Sequence, residues 1–307
     1  MQHHEFRLFS HKTLDWFCKV GYNAFIDDDN YRQREEAHIH NTGFLGAGNI
    51  AFAVISGALS AKYMDKSAVS VFDANPVAYE KFTSLGVHIS SSLDALIADN
   101  DVIFLSIKPQ VYTEVLPLCR AALDKLGDVK RTFVTVAAGK TIDMVTKTLG
   151  GAAVIRVMPN TPLLIGCGAT SICNSENVDA QALAHVHGMF AACGMAVALP
   201  ESLMNVATAA GGSMPAFVYQ FIRGAVTAAR EHGMDETTAR QLVAQTLVGA
   251  GEMVLHSDMP LSDMIAAVAS PGGTTIAGMA ALEANGFEAL VGSAIDAATQ
   301  RAAELAT

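Results

Sequence analysis

From Asn41 onward, short apolar runs alternate with stretches whose apolar positions recur at helical spacing. The segment "NTGFLGAGNIAFAVISGAL" starts the pattern: an apolar strand over about Thr42 to Leu45, a glycine turn, then Ile50, Val54, Ile55 and Leu59 on one helical face. Strand-like stretches follow at 68–75 ("AVSVFDAN"), 101–110 ("DVIFLSIKPQ"), 132–139 ("TFVTVAAG") and 153–162 ("AVIRVMPNTP"). Helical patterns over Val111 to Leu126 and Ile142 to Leu149 separate them. This alternation predicts an α/β, Rossmann-type domain with a parallel, doubly wound sheet. Past about Pro200 the pattern becomes purely helical. Predicted helices cover 214–234, 235–257 with Asp235 as N-cap, and Thr274 to Ala284, closed by Asn285-Gly286. The first of these is apolar on nearly every face, and a domain of about a hundred residues has too little volume to bury it alone. A homodimer burying these helices together is therefore expected. The domain reading is an N-terminal extension of unknown role over 1–40, a dinucleotide-binding domain over 41–200, and an all-α dimerisation and substrate domain over 201–307.

Composition narrows the partners. The chain has 307 residues, 51% of them hydrophobic and 16% charged, which excludes a disordered protein. Thirty acidic against twenty basic residues give a net charge of −10, which disfavours nucleic acid and anionic membrane surfaces. A small-molecule substrate is expected instead. Five cysteines, Cys18, Cys119, Cys167, Cys173 and Cys193, form no CxxC pair, which points to a reducing, cytoplasmic setting. Neither a membrane span nor a secretory leader is predicted. His3 with His4, or His38 with His40, lack a third ligand, and no metal site is expected. His185 and His187 fall on an Ala-rich helix whose other face packs on the sheet, so both are expected near the surface.

Two glycine-rich segments hold the candidate chemistry. Gly46, Gly48 and Ala51 form G-x-G-x-x-A between strand and helix: Gly46 permits the tight turn, and Gly48 lets backbone N–H groups approach a pyrophosphate. Asp73, at the end of the second strand, lies where an adenosine ribose belongs. Its carboxylate accepts from the 2′- and 3′-hydroxyls and repels a 2′-phosphate, which favours NADH over NADPH; an Asp that merely starts a turn before Asn75-Pro76 fits equally. The strand ends at Ser106-Ile107-Lys108-Pro109, Ala137-Ala138-Gly139 and Met158-Pro159-Asn160-Thr161-Pro162 should line the nicotinamide side. Near the C-terminus, "ASPGGTTIAGMAALEANGF" places Ser270, Gly272, Gly273, Thr274 and Thr275 at a helix start. Unobstructed N–H groups there suit an anion such as a substrate carboxylate. A Pro-Gly turn with Thr as N-cap explains Pro271 and Thr274 but leaves two consecutive glycines without a reason.

"FLGAGNIA", "SIKPQ", "VAAG", "IRVMPNTP", "GCGAT", "TAAGGSMPAF" and "ASPGGTTIAGMAALEANGF" together resemble pyrroline-5-carboxylate reductases, in order over about residues 41–305. The resemblance implies reduction of 1-pyrroline-5-carboxylate to L-proline with NADPH or NADH as cofactor. It also implies a helical domain interlocked in a dimer, with active sites at the dimer interface and dimers that assemble further into rings. Residue by residue, it implies a pyrophosphate turn at Gly46, Gly48, Asn49 and Ile50, and a cofactor loop at Ser106, Lys108 and Pro109. Ala138 and Asn160 come beside the nicotinamide. Ser270, Gly273, Thr274 and Thr275 match the substrate-carboxylate loop, with the Thr275 hydroxyl near the imine nitrogen as the catalytic donor.

The chain departs from the family at Met214, where glycine is usual, at Phe217, which lacks the usual phenolic hydroxyl, and at Ala266 and Ala267. These departures keep two alternatives open: a dinucleotide-binding paralogue without turnover, acting as sensor or assembly partner, or a reductase of a related cyclic imine.

Overall fold

The computed structural model describes residues 40–305. The extension before His40, with His3, His4, His38 and Trp16, lies outside the described residues. Two compact units are present among the described residues: one comprises residues 40–212 and 302–305, the other Ser213–Arg301.

The first unit is built on one eight-stranded sheet among the described residues, in the order β3-β2-β1-β4-β5-β6-β7-β8. The strands are β1 (Thr42–Leu45), β2 (Val69–Phe72), β3 (His88–Ile89), β4 (Val102–Leu105), β5 (Thr132–Thr135), β6 (Ala153–Met158), β7 (Gly168–Asn174) and β8 (Gly194–Ala198). Neighbours from β3 to β6 are parallel; β7 runs antiparallel to β6, and β8 parallel to β7. Strands β1, β4 and β5 are buried along their whole length, as continuous apolar runs covered on both faces must be. Successive side chains point to opposite faces. Phe44, Phe104 and Val134 therefore pack beneath α1 (Asn49–Ser60), α2 (Glu80–Leu85) and, further along, α6 (Ala180–Ala191). Leu45, Ile103 and Phe133 pack beneath α3 (Leu93–Asp99), α4 (Tyr112–Leu126) and α5 (Ile142–Thr148). The Tyr112 hydroxyl, buried under this second layer, donates to Leu105 O (3.0 Å) and meets Thr135 Oγ1 (2.9 Å). Burial raises its pKa well above the ordinary phenol value.

Strands β3, β7 and β8 go beyond those the periodicity predicts. The first is two residues long, and the other two are composed largely of Gly, Ala, Ser and Thr, whose small side chains give little alternating signal.

His185 departs from its expected surface position. Its Nε2 lies 2.9 Å from Thr42 Oγ1 on the first strand, the Tyr63 hydroxyl donates to its carbonyl (3.0 Å), and the His40 ring stands 5.5 Å away. Burial, helped by His40 and opposed by Asp101, pushes its pKa down to about 4 from 6.5. The unfolded chain therefore takes up this proton first as pH falls. The stability that neutral His185 contributes is complete above about pH 6.5 and lost progressively towards pH 4. At pH 5 the loss is about 2 kcal/mol, or roughly 4–8 °C in melting temperature. His185→Gln should remove this part of the drop measured calorimetrically between pH 7 and pH 5. An equal drop in both proteins would overturn it.

The second unit contains only helices among the described residues: α8 (Met214–Glu231), α9 (Glu236–Leu255), α10 (Leu261–Val268), α11 (Thr274–Ala284) and most of α12 (Phe287–Glu304). The short α7 (Met204–Ala207) and a π-helical turn over Thr208–Ser213 precede it. Between Ser213 and Arg301 only Ala239 is buried. Tyr219, Phe221, Leu242, Val248, Val268 and Leu290 are exposed in this single copy. The apolar helices thus lack the packing that their sequence calls for within one chain. No helix among the described residues is long and apolar enough to cross a membrane.

Candidate dinucleotide and substrate sites

The glycine turn sits where the strand order reverses, between the carboxyl ends of β1 and β4, which is the position of ligand crevices in open α/β sheets. Gly46 has φ +104°, and a Cβ there would lie 2.5 Å from Ser106 O. Both backbone conformation and space therefore demand glycine. Gly48 is the N-cap of α1; no side chain caps that helix, and no acidic residue occupies its first turn. Gly48 and Asn49 are exposed and Ile50 is half-buried, so the first amides of a twelve-residue helix open to solvent with the positive end of its dipole behind them. The Ser106 hydroxyl beside the turn is buried without a hydrogen-bond partner. A glycine cradle, an uncapped helix start and an unpaired hydroxyl together fit a dinucleotide pyrophosphate.

Asp73 follows β2 and reaches back to the turn. Its Oδ2 accepts from Ala47 N (2.7 Å) and its Oδ1 from Asn75 N (2.8 Å), so it both starts a turn and supports the glycine loop. Lys108 is exposed after β4, with its carbonyl accepting from Val111 N (3.1 Å), and Pro109 opens the short 3-10 turn there. Ala138 follows β5 and is half-buried against Met158 and Met204. Asn160 follows β6 and is buried. Its Oδ1 accepts from Ala169 N (3.0 Å) and its Nδ2 donates to Gly211 O (3.2 Å), so its amide braces the π-helical turn. All these residues gather at the carboxyl ends of parallel strands.

Sequence reasoning passed over one ion pair beneath this edge. Arg156, within β6, is 3% exposed, and its Nη1 donates to Glu201 Oε1 at 3.0 Å. The same oxygen accepts from Ile142 N (2.8 Å), the first amide of α5. The signal was an arginine inside the apolar run "AVIRVM", since a buried charge requires a partner. Glu201→Ala would leave that guanidinium unpaired, at a cost of about 3 kcal/mol. Calorimetry should show melting lowered by roughly 6–12 °C; a fall below about 2 °C would contradict this account.

In the second unit, the Ser270 carbonyl accepts from Gly273 N (2.9 Å), and Gly273 caps α11 without a side-chain hydrogen bond. Gly272 has φ +73°, and a Cβ on Gly273 would lie 2.5 Å from Ser270 Oγ. The turn itself therefore gives a reason for both glycines, which corrects the expectation that only a ligand would. Ser270 and Thr274 are exposed and Thr275 half-buried, and no acidic residue occupies the helix's first turn. An eleven-residue helix thus presents free amides and hydroxyls at one end. Among the described residues, no three His, Cys, Asp or Glu side chains gather as a metal-ligand set.

The chain is similar to known proteins. Residues 201–305 match the family described as pyrroline-5-carboxylate reductase dimerisation, and residues 41–127 match NADP oxidoreductase coenzyme F420-dependent. The chain is 34% identical to the pyrroline-5-carboxylate reductase of Pseudomonas aeruginosa over 266 residues, covering 86% of this chain and 96% of that one. It is 33% identical to pyrroline-5-carboxylate reductase 3 of Danio rerio over 264 residues, covering 86% and 90%. Among solved structures, the Coxiella burnetii pyrroline-5-carboxylate reductase superposes with a TM-score of 0.81 at 28% identity, covering 88% of this chain and 100% of that one. The Plasmodium falciparum pyrroline carboxylate reductase, solved with NADP bound, gives 0.77 at 28% identity, covering 87% and 98%.

Proposed function

The chain belongs to the pyrroline-5-carboxylate reductase family, and we propose from that premise that it reduces 1-pyrroline-5-carboxylate to L-proline. The observation that carries this reading is that the chain holds both an open glycine-turn helix start, in its first unit, and an open Ser-Pro-Gly-Gly-Thr-Thr helix start, in its second. Two anion-holding ends suit the two anionic ligands of this reaction. A bound nicotinamide cofactor, NADH or NADPH, supplies a hydride to the imine carbon, and a proton reaches the imine nitrogen as C=N becomes CH–NH.

The protein's own groups hold and orient. The amides at Gly48, Asn49 and Ile50 receive the pyrophosphate, Asp73 faces the ribose, and Ser106, Lys108 and Pro109 flank the cofactor. Ala138 and Asn160 lie on the nicotinamide side, where Asn160 fixes its loop. Ser270, Gly272, Gly273 and Thr274 hold the substrate carboxylate. Thr275 directs a hydrogen bond, directly or through one water, at the imine nitrogen; its hydroxyl is too weak an acid to protonate the imine unaided. Holding the two reacting carbons together supplies much of the acceleration. Two chains join through the helices of the second unit, the dimers associate further, and the enzyme works in the cytoplasm. The free, buried thiols of Cys119, Cys173 and Cys193 are consistent with that compartment.

The test follows absorbance at 340 nm with 1-pyrroline-5-carboxylate and either reduced cofactor. Loss of signal with matching formation of proline is expected. Binding of both ligands without turnover would overturn the reading in favour of the non-catalytic paralogue. Thr275→Val should lower kcat by roughly 10- to 100-fold, the worth of one hydrogen bond to a developing charge, with dinucleotide affinity unchanged and Thr275→Ser retaining activity. Unaltered kcat in Thr275→Val would remove Thr275 from the mechanism.

A further inference from the structure

We propose that Glu201 is a positioning residue for hydride transfer. Through one carboxylate oxygen it ties the loop that carries Ala138 to the strand that leads to Asn160, and so fixes the spacing of the two loops on the nicotinamide side. This rests on the dinucleotide reading of the glycine turn.

The loop 136–141, between β5 and α5, is fastened at both ends. Upstream, Ala137 N donates to Thr135 Oγ1 (3.4 Å). At its middle, Gly139 turns with φ +77°, and Lys140 N donates to Ala137 O (3.3 Å). Downstream, the amide of Ile142 opens α5 and has no acceptor within its own helix. Glu201 Oε1 takes it at 2.8 Å. The same oxygen receives Arg156 Nη1 at 3.0 Å, and Arg156 stands opposite Thr135 in β6, the strand that runs on into the Asn160 loop. Neither loop can shift against the other without breaking one of these two bonds.

Arg156 is buried and its Nη2 has no hydrogen-bond partner, so Glu201 is the carboxylate that balances it among the described residues. From Glu201 the chain crosses both loops. Met204 is fully buried with Met158 and Cys173, and Ala138 and Ile142 pack against that cluster. A Cβ on Gly212 would lie 3.2 Å from Met158 Sδ, and Asn160 Nδ2 reaches Gly211 O (3.2 Å). Residues 201–212 thus form a strap pinned at Glu201, Met204 and Gly211. Of the three pins, Glu201 alone contributes charge-assisted hydrogen bonds, which are shorter and stronger than neutral ones. A misplacement of about 1 Å between reacting groups costs about 100-fold in rate. Loosening this pin should therefore appear at the nicotinamide and leave the pyrophosphate end of the dinucleotide unaffected.

The experiment compares Glu201→Gln with a chain carrying both Glu201→Leu and Arg156→Met. Glutamine keeps an acceptor for Ile142 N and Arg156. The paired variant removes the tether yet leaves no unpaired buried charge, which preserves the fold. Should it melt early, Glu201→Asp keeps the charge but falls one methylene short of Ile142 N and takes its place. Calorimetric titration with ADP, which probes the glycine turn without the nicotinamide, should give wild-type affinity in every variant. On binding NADH, the glutamine variant should reproduce the wild-type change in nicotinamide fluorescence, and the paired variant should lose it. In the reductase assay the paired variant should lose roughly 10- to 100-fold in kcat, with the substrate KM nearly unchanged. Its primary isotope effect with cofactor deuterated at the transferred position should rise, and the glutamine variant should keep its kcat. Wild-type fluorescence and kcat in the paired variant overturn the role of Glu201, as does a loss of ADP affinity that parallels the loss of kcat. If the wild-type protein binds NADH without turnover, the reductase reading falls and the fluorescence arm alone decides. If it binds neither ADP nor NADH, the dinucleotide reading falls and takes this inference with it.

Discussion

Gly46→Val is expected to abolish dinucleotide binding and to lower the stability of the free protein, whereas Gly48→Ala should weaken binding alone. At Gly46 any side chain meets two obstacles. The φ of +104° is outside the range that L-residues adopt comfortably, which costs on the order of 1–3 kcal/mol. A Cβ would also stand 2.5 Å from Ser106 O and 3.0 Å from Ile107 Cγ2. The Ser106 carbonyl is backbone just past β4; the Ser106 amide donates to Leu45 O (2.8 Å), so this residue cannot retreat without straining the join between β1 and β4. Opening that pair widens the crevice that should hold the pyrophosphate, so a loss of at least about 100-fold in affinity is expected. At Gly48 the φ is −78°, and the nearest atom to an added methyl is Ser106 O at 3.7 Å, an ordinary contact. There the methyl obstructs the ligand without disturbing the fold. Nicotinamide fluorescence titration and calorimetry of both variants separate the two cases. Normal binding by Gly46→Val would refute the geometric role given to this turn.

Leu242→Asp or Val248→Asp is expected to dissociate the protein into monomers and to melt the helices of the second unit. Both side chains are 55% exposed in the single copy, in a unit where only Ala239 is buried. Helices with so little core have no hydrophobic driving force of their own. Burying a leucine or valine contributes roughly 1.5–3 kcal/mol, and in a symmetric pair each substitution acts twice. A charge placed there adds a desolvation cost. Sedimentation should give a monomer at micromolar concentration, with reduced helical circular dichroism and no reductase activity. Leu118→Asp, on the exposed side of α4 in the first unit, is the control and should leave assembly unchanged. Persistence of the wild-type oligomer in both second-unit variants would exclude these residues from the interface.

Both expectations start from features legible in the chain. "FLGAGNIA" and "SPGGTT" are local: strand, turn and helix start lie within a few residues, and each requires glycine or a short hydroxyl side chain for reasons of backbone geometry. The buried strands β1, β4 and β5 announce themselves as continuous apolar runs, and the helix over Thr274–Ala284 has the limits its N-terminal turn and Asn285-Gly286 suggest. The family likeness, resting on ordered motifs, likewise needed no coordinates.

Other features depend on partners far along the chain. His185 turns inward because Thr42, 143 residues earlier, offers its hydroxyl. Asn160 is committed to Ala169 and Gly211, and Glu201 joins Arg156 to the start of α5. The antiparallel β7 and edge strand β8 are set by pairing rather than by alternation of their own small residues. Periodicity and turn chemistry act over a few residues, so the sequence alone determined the five apolar strands β1, β2, β4, β5 and β6, their alternation with helices and the two glycine-rich helix starts. Which buried polar group meets which depends on the packed arrangement of whole strands and helices, and that only the tertiary structure decided.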